Sequence, residues 1–317
     1  MSSLPEPDAP IRCTLAFERA WAVMRTVLFS PFDIEKWITL GFCAWLSLLG
    51  QGGGFSGNPF GSFPQKNSQP QIRETIQSWV PKVENYVSTN VLWLVPLAAF
   101  LVVAAIAVWL VILWISSRGQ FLFLDSIARN RSAVAAPWKE FAVQGDSLFL
   151  FRVVTVAVSV SLFLLTVGLG ALVAYGYHEG TLPKVWTAAI AVVGVLLWLV
   201  LLFAAILGVI VLDDFIIPLM WLHRSGCVAA WKEFGTLLTV RTGAFFRYLL
   251  MIFLTSIGIG VAVLTLMVMT CCILGCVMMI PFVGTVVLLP VLVFRRALSL
   301  TFLAQFGPRY DVFATSR

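Results

Sequence analysis

The sequence predicts an all-α, polytopic membrane protein: six transmembrane helices arranged as three repeated hairpins, with interfacial helices on the cytoplasmic side. Three observations predict this class. The 317 residues are 60% hydrophobic and 11% charged, against about 45–50% and about 25% in soluble domains. Charge-free runs of spanning length recur along the chain. The eleven residues from Arg131 to Phe141, ending in Ala136-Pro137-Trp138-Lys139-Glu140-Phe141, return 93 positions later as Arg224 to Phe234, ending in Ala229-Ala230-Trp231-Lys232-Glu233-Phe234. Seven positions are identical without a gap. A repeat fixes the building unit of a fold.

The first 36 residues carry Glu6, Asp8, Glu18, Asp33 and Glu35 and contain no apolar core of the signal-peptide kind, so insertion is expected to begin with the first span. That span is the run Trp37–Gly50. Its helix covers only about 21 Å, so it draws on Ile34 to Lys36 or thins a bilayer whose apolar core is about 30 Å thick. Asn85–Ser117, Val153–Tyr177 and Val185–Leu212 each supply one span, and Tyr248–Phe294 is long enough for two, with a break near Thr270–Pro281. Pro96 and Pro290 are positioned to kink their spans. Gly168, Gly170, Gly258 and Gly260, with Ser161 and Ser256, are the small residues that let helices approach in lipid, here expected between hairpins.

Within a single integral membrane domain covering residues 1–317, the units fall at about 10–130, 131–223 and 224–310. Each is read as a cytoplasmic lead-in helix, a span out, a span back and an apolar exit segment. The lead-in helices have apolar residues at helical spacing: Phe17, Trp21, Met24 and Leu28; then Val134, Trp138 and Phe141; then Val228, Trp231 and Phe234. Trp opposite Lys or Arg suits a helix in the headgroup layer or one packed in a cytoplasmic layer. An outer loop at about 51–90 breaks the symmetry. Its part Gln51–Gly61 is Gly-rich, and Ile72, Ile76, Val80 and Val83 suggest a short amphipathic helix interrupted at Pro81.

The net charge of +6 does not point to nucleic acid, because its distribution follows the spans. Alternate segments hold 17 of the Lys and Arg residues and the others hold four. Positive residues stay cytoplasmic, so both termini are expected inside, and the basic inner face is expected to favour anionic lipid headgroups. Trp21, Arg129, Arg131, Trp138, Lys139, Trp231 and Lys232 are the candidate lipid or partner contacts on that face.

Span interiors lack ionisable residues, which removes the buried groups that ion-coupled transporters and intramembrane proteases use. The two histidines, His178 and His223, are too far apart for a metal set or a triad, and no cofactor is implied. Asp213 and Asp214 end the fourth span. They read either as a site at the cytoplasmic mouth or as a boundary marker whose carboxylates cap the next helix, with a bend at Pro218; the capping role is the expected one. Cys271, Cys272 and Cys276 read as apolar packing, and whether they pair depends on an oxidising outer compartment.

The three Trp-bearing segments, together with Asp214-Phe215-Ile216-Ile217-Pro218-Leu219-Met220 and the tail Ala304-Gln305-Phe306-Gly307-Pro308-Arg309-Tyr310, resemble an uncharacterised group of bacterial six-span membrane proteins. More distantly they resemble the membrane domain attached to some glycerophosphodiester phosphodiesterases. The resemblance implies an inner-membrane location and no particular activity. The phosphodiesterase catalytic domain is absent, since His223-Arg224-Ser225 lacks the Gly of the His-Arg-Gly start and the acidic partners downstream. The expected function is therefore non-enzymatic: organising the membrane, or binding lipid or a protein partner. The alternative is a permease or channel for a lipid-like or uncharged solute.

The charge pattern yields a topology prediction. Single cysteines at Gly57 and Glu179 are expected to react with an impermeant thiol reagent from outside intact cells, and those at Ser2, Gly145 and Ser316 only after permeabilisation. External labelling at Gly145 would contradict the orientation.

Overall fold

A computed structural model describes residues 12–30, 32–49, 69–131, 133–179, 183–270, 273–280 and 282–315. Every element among them is helical. Helices α1 (Cys13–Phe29) and α2 (Ile34–Leu48) precede α3 (Gln69–Ala128). The short α4 (Ala135–Glu140) leads into α5 (Ala142–His178). After it, α6 (Lys184–Val211) passes through one π-helical turn (Leu212–Ile216) into α7 (Ile217–His223). Then follow α8 (Cys227–Val240), α9 (Thr242–Met269), the short α10 (Ile273–Met279) and α11 (Val283–Val287), α12 (Leu289–Leu303) and α13 (Val312–Thr315). The Gly-rich stretch Gln51–Gly61, Ser132, Cys271, Cys272 and Pro281 lie outside the described residues, as do the labelling sites Ser2, Gly57 and Ser316.

Five helical stretches are long and apolar enough to cross a membrane: Trp93–Ala128, Ala142–Tyr177, Ala188–His223, Thr242–Met269 and Leu289–Phe306. In the first four, 11% or less of the most apolar window is buried, whereas in Leu289–Phe306 the share is 67%. The first four therefore present almost all of their apolar side chains outward, from Val95 to Val111, Val154 to Tyr177, Val185 to Val209 and Phe253 to Met269. A water-soluble surface does not expose apolar patches of this size, and the chain is a multi-pass membrane protein. The inner ends of the same helices close into a packed core with α1, α2, α7, α8 and α12. Leu28, Leu40, Phe121, Phe141, Phe215, Tyr248 and Phe302 are fully buried there.

Length and composition thus single out five helices where the sequence predicts six spans. The missing one is α2, whose 15 residues reach about 22 Å. It runs antiparallel to the inner part of α3. Lys36 Nζ donates to Asn130 Oδ1 at 2.7 Å, Cys43 Sγ lies 3.9 Å from Ser126 Oγ, and the Ser47 carbonyl accepts from Ser116 Oγ at 2.9 Å and Gln120 Nε2 at 3.2 Å. Its inward face is committed to the exit segment of α3, beside residues 116–130, rather than to the charge-free stretch beyond. The return after α9 is broken into α10 and α11 before α12 begins, in keeping with the break expected near Thr270–Pro281.

Several local expectations change. No break interrupts α3 at Pro81 or Pro96; each proline removes one ladder hydrogen bond while the turns around it persist. Pro290 occupies the first turn of α12, where its missing N–H has no partner to lose, so it starts a helix instead of kinking one. A Cβ placed on Gly168, Gly170, Gly258 or Gly260 would meet nothing within 4 Å. These glycines face outward and do not mediate packing between hairpins. The close approaches are elsewhere. A Cβ at Gly119 would stand 2.8 Å from the Leu46 carbonyl carbon and 2.9 Å from Ser47 N, so only Gly lets α2 lie against α3. At Gly145 a Cβ would stand 2.6 Å from Arg118 Cγ, which makes its neighbour Val143, 77% exposed, the sounder cysteine position for topology.

Gly119→Ala is expected to lower the stability of the detergent-solubilised protein by about 1–3 kcal/mol, because the obstacle is backbone and overpacking cannot relax. Gly170→Ala is the control, neutral or slightly stabilising because Ala is the better helix former. Thermal unfolding followed by near-ultraviolet circular dichroism separates the two. Equal melting temperatures for both variants would contradict the α2–α3 register.

Candidate functional site

Two clusters of charge occupy the inner ends of the long helices, and each is built from local sequence. The first begins at Pro218. In the π-helical turn the Ile217 N–H bonds the Leu212 carbonyl five residues back. By the same spacing, the Asp213 carbonyl would look to residue 218, but proline has no N–H to give. Arg296 Nη1, from α12, donates to that carbonyl instead. The Asp213 carboxylate pairs with Arg152 of α5 (3.4 Å), and Arg152 also donates to Ser117 Oγ of α3 (3.5 Å). Asp214 is buried beside Tyr248 of α9 and next to Arg296. Five long helical segments therefore meet at one polar node. Arg152, Asp214 and Arg296 are each less than a tenth exposed.

The node corrects one expectation about the aspartates. Neither is the N-cap of the following helix, a position that Ile216 occupies. The π-helical turn, centred on the carbonyls that Pro218 leaves unmatched, carries the chain into α7.

The second cluster ties the inner end of α3 to both occurrences of the Trp-Lys-Glu-Phe motif. Asp125, fully buried on α3, receives Arg129 (3.3 Å) and Arg131 (2.9 Å), and Trp221 Nε1 donates to it at 3.4 Å. Glu140 takes Arg129 (3.1 Å), Arg131 (3.5 Å) and Arg224. Arg224 also covers the Phe141 ring at 4.1 Å, and that ring stacks between Phe121 and Trp221. At Phe141 the backbone leaves the helical range (φ −107°, ψ 22°), so α4 stops after six residues, while α8 runs on to Val240. In the second occurrence Glu233 meets His223 Nδ1 at 3.0 Å.

The predicted contact residues divide accordingly. Arg129 and Arg131 are held in ion pairs inside this second cluster rather than presented to lipid. Lys139 and Lys232 are exposed. Trp138 and Trp231 are half-buried, Trp138 edge-on to Trp114 under the Arg118 guanidinium and Trp231 against Phe151. Trp21 is 52% exposed. The face of α1 differs from the predicted one: Ala16, Ala20, Met24, Val27 and Leu28 turn inward, because the two alanines admit α12 so closely that Thr301 Oγ1 reaches the Ala16 carbonyl at 2.9 Å. In α8, Val228 points outward while Cys227, Ala230, Phe234 and Leu237 are buried.

Asp125, Arg152, Tyr248, Arg296 and the Arg118–Asp146 pair (2.9 Å) complete the two clusters, and sequence reading passed over them. A usable signal existed. Arg118 and Arg152 are the first charges bounding a charge-free run, and Asp125 is the lone acid within an apolar exit segment. Among the described residues no group of three or more His, Cys, Asp or Glu could hold a metal ion.

Hydrogen bonding from Arg129 above all, then from Arg224, holds the Glu140 carboxyl down to about 2 despite some opposing desolvation. A depressed carboxyl contributes stability that is fully present above its ordinary value of 4.5 and is lost as pH falls toward about 2. An acid transition in tertiary circular dichroism is therefore expected in that window, and Glu140→Gln is expected to remove it while lowering stability at neutral pH. An unchanged acid profile in the variant would contradict the cluster.

No curated protein and no solved structure matches the chain, and none of the comparisons links it to the glycerophosphodiester phosphodiesterases. One family does match, described as a family of unknown function (DUF7544), over residues 12–313. That span takes in both charge clusters and all five long apolar helices, and the chain belongs to this family.

Proposed function

We propose that this chain is a non-enzymatic integral protein of a bacterial inner membrane that organises the bilayer locally by binding lipid or a membrane partner. In this reading it crosses six times as three hairpins, with α2 and the broken return through α10 to α12 completing the pairs, and both termini are cytoplasmic. The observation that carries the reading is the division of each long helix. Its outer part offers lipid an uninterrupted apolar surface. The inner ends of α3, α5 and α6 are fastened to their neighbours by the pairs Arg118–Asp146, Arg131–Asp125, Arg152–Asp213 and Arg224–Glu140. Such pairs hold helices in place and leave the remaining basic residues to face the membrane surface.

A permease for a lipid-like or uncharged solute is the second reading. It draws on Asp214, Tyr248 and Arg296, buried where the long helices converge, since ionisable groups at such positions mark transport pathways in other membrane proteins.

Reconstitution in vesicles distinguishes the two. The first reading predicts that tryptophan emission is quenched more by a brominated anionic phospholipid than by its zwitterionic analogue. The excess is expected to shrink as screening shortens from about 8 Å at physiological salt to about 3 Å at 1 M. Uptake driven by a proton or sodium gradient, and lost in the double variant Asp213→Asn, Asp214→Asn, would overturn it in favour of the permease.

A further inference from the structure

The three lead-in tryptophans share a contact that their sequences do not announce. Trp21 meets Phe294 with ring centroids 6.0 Å apart, Trp138 meets Trp114 at 6.0 Å, and Trp231 meets Phe151 at 6.0 Å. Each partner stands on another helix, where a charge-free run gives way to charge. Phe294 immediately precedes Arg295, Phe151 immediately precedes Arg152, and Trp114 lies one turn before Arg118. The three indoles therefore mark one boundary, the inner edge of the apolar surface. Indole rings concentrate at such edges, and of the three the Trp231 indole nitrogen is itself buried.

The charges around two of these indoles are unequal in a way that matters. The neighbouring acids are engaged: Asp146 pairs with Arg118, Glu140 with Arg129, Arg131 and Arg224, and Glu233 is in hydrogen-bonding contact with His223. Lys139 and Lys232, adjacent in sequence to Trp138 and Trp231, are exposed and take part in none of the ion pairs among the described residues. Cationic charge is thus left over at the level of the headgroups, beside an indole, at two repeat-related places. The first unit lacks the feature, since Ala22 follows Trp21.

We propose that Lys139 and Lys232, each next to its interfacial tryptophan, form two repeat-related positions that bind the phosphate of an anionic phospholipid headgroup. This deepens the lipid-binding reading above and rests on it. Lipid is the occupant that fits because the boundary marked by the indoles is continuous with the exposed apolar surface of α3, α5 and α6. A phosphate held there keeps its acyl chains against that surface. Arg129 and Arg131, committed to Asp125 and Glu140, are not part of these positions.

The test compares full-length variants in vesicles containing brominated phosphatidylglycerol or brominated phosphatidylcholine. Each Lys is expected to contribute about fivefold to the preference for the anionic lipid, the equivalent of about 1 kcal/mol at a membrane surface. Lys139→Gln with Lys232→Gln is expected to lose most of the preference. Lys139→Arg with Lys232→Arg, and separately Arg309→Gln at an exposed cation remote in sequence from the tryptophans, are expected to keep it. Circular dichroism and a monodisperse elution profile establish that each variant is folded. A wild-type preference that survives the double Gln variant overturns the proposal and leaves the lipid-binding reading standing. A wild-type protein with no preference for the anionic lipid at any salt concentration overturns both.

Discussion

Arg152 and Arg296 are the constraint around which the molecule is arranged. Neither can enter a bilayer cheaply, and both are too buried to be hydrated freely. Each therefore needs acceptors supplied by the protein, and both draw on Asp213. Pro218 cannot provide an N–H, so a π-helical turn forms, and the Asp213 carbonyl turns to Arg296 while the Asp213 carboxylate turns to Arg152. Removing one partner of such a buried pair is far more damaging than never having built it. The node therefore fixes where α3, α5, α6, α9 and α12 converge, and with that where the exposed apolar stretches begin.

The second cluster does for the layer of short helices what the first does for the long ones. Arg224 begins the second occurrence of the eleven-residue sequence, yet its partners are Glu140 and Phe141 of the first, while Asp125 of α3 holds Arg131. Adjacent units are thereby cross-linked by charge at the points where the chain passes from one to the next. Arg224 reaches Glu140 from a left-handed backbone conformation, φ 52°, uncommon for a residue with a Cβ. That conformation ends α7 and turns the chain into α8. The recurring motif is thus a joint as much as a surface. Trp and Lys face outward or sideways, whereas Arg, Glu and Phe lock the units together.

The helical class and the membrane setting were legible because both rest on composition and run length, which no packing arrangement can reverse. Boundaries set by charge were legible for the same reason: Arg118, Arg152 and Arg295 end the apolar runs in sequence and in space. Length and composition single out five helices able to cross a membrane and leave α2 to be placed by its packing. Trp37–Gly50 satisfies an apolar pattern, but α2 takes its place beside the inner part of α3 through Gly119 and the Ser47 carbonyl, contacts between segments some 70 residues apart. The face of α1 was misread because periodicity favours large side chains, while the close approach to α12 selects Ala16 and Ala20. The node itself was hidden. Its members are scattered over five helices, and the role of Pro218 emerges only once the turn before it is seen.

The central claim is that the lipid surface begins at the polar node and extends over the outer parts of the helices. The most direct measurement is a nitroxide scan along α5, from Val143 through Leu150 to Leu164 and Leu172, in reconstituted vesicles. All four positions are more than half exposed. Collision with dissolved oxygen is predicted to rise from Val143 to a maximum near Leu164, and collision with a water-soluble nickel chelate to fall over the same positions, with the crossover near Arg152. High chelate accessibility at Leu164, or the same accessibility on both sides of Arg152, would contradict the account.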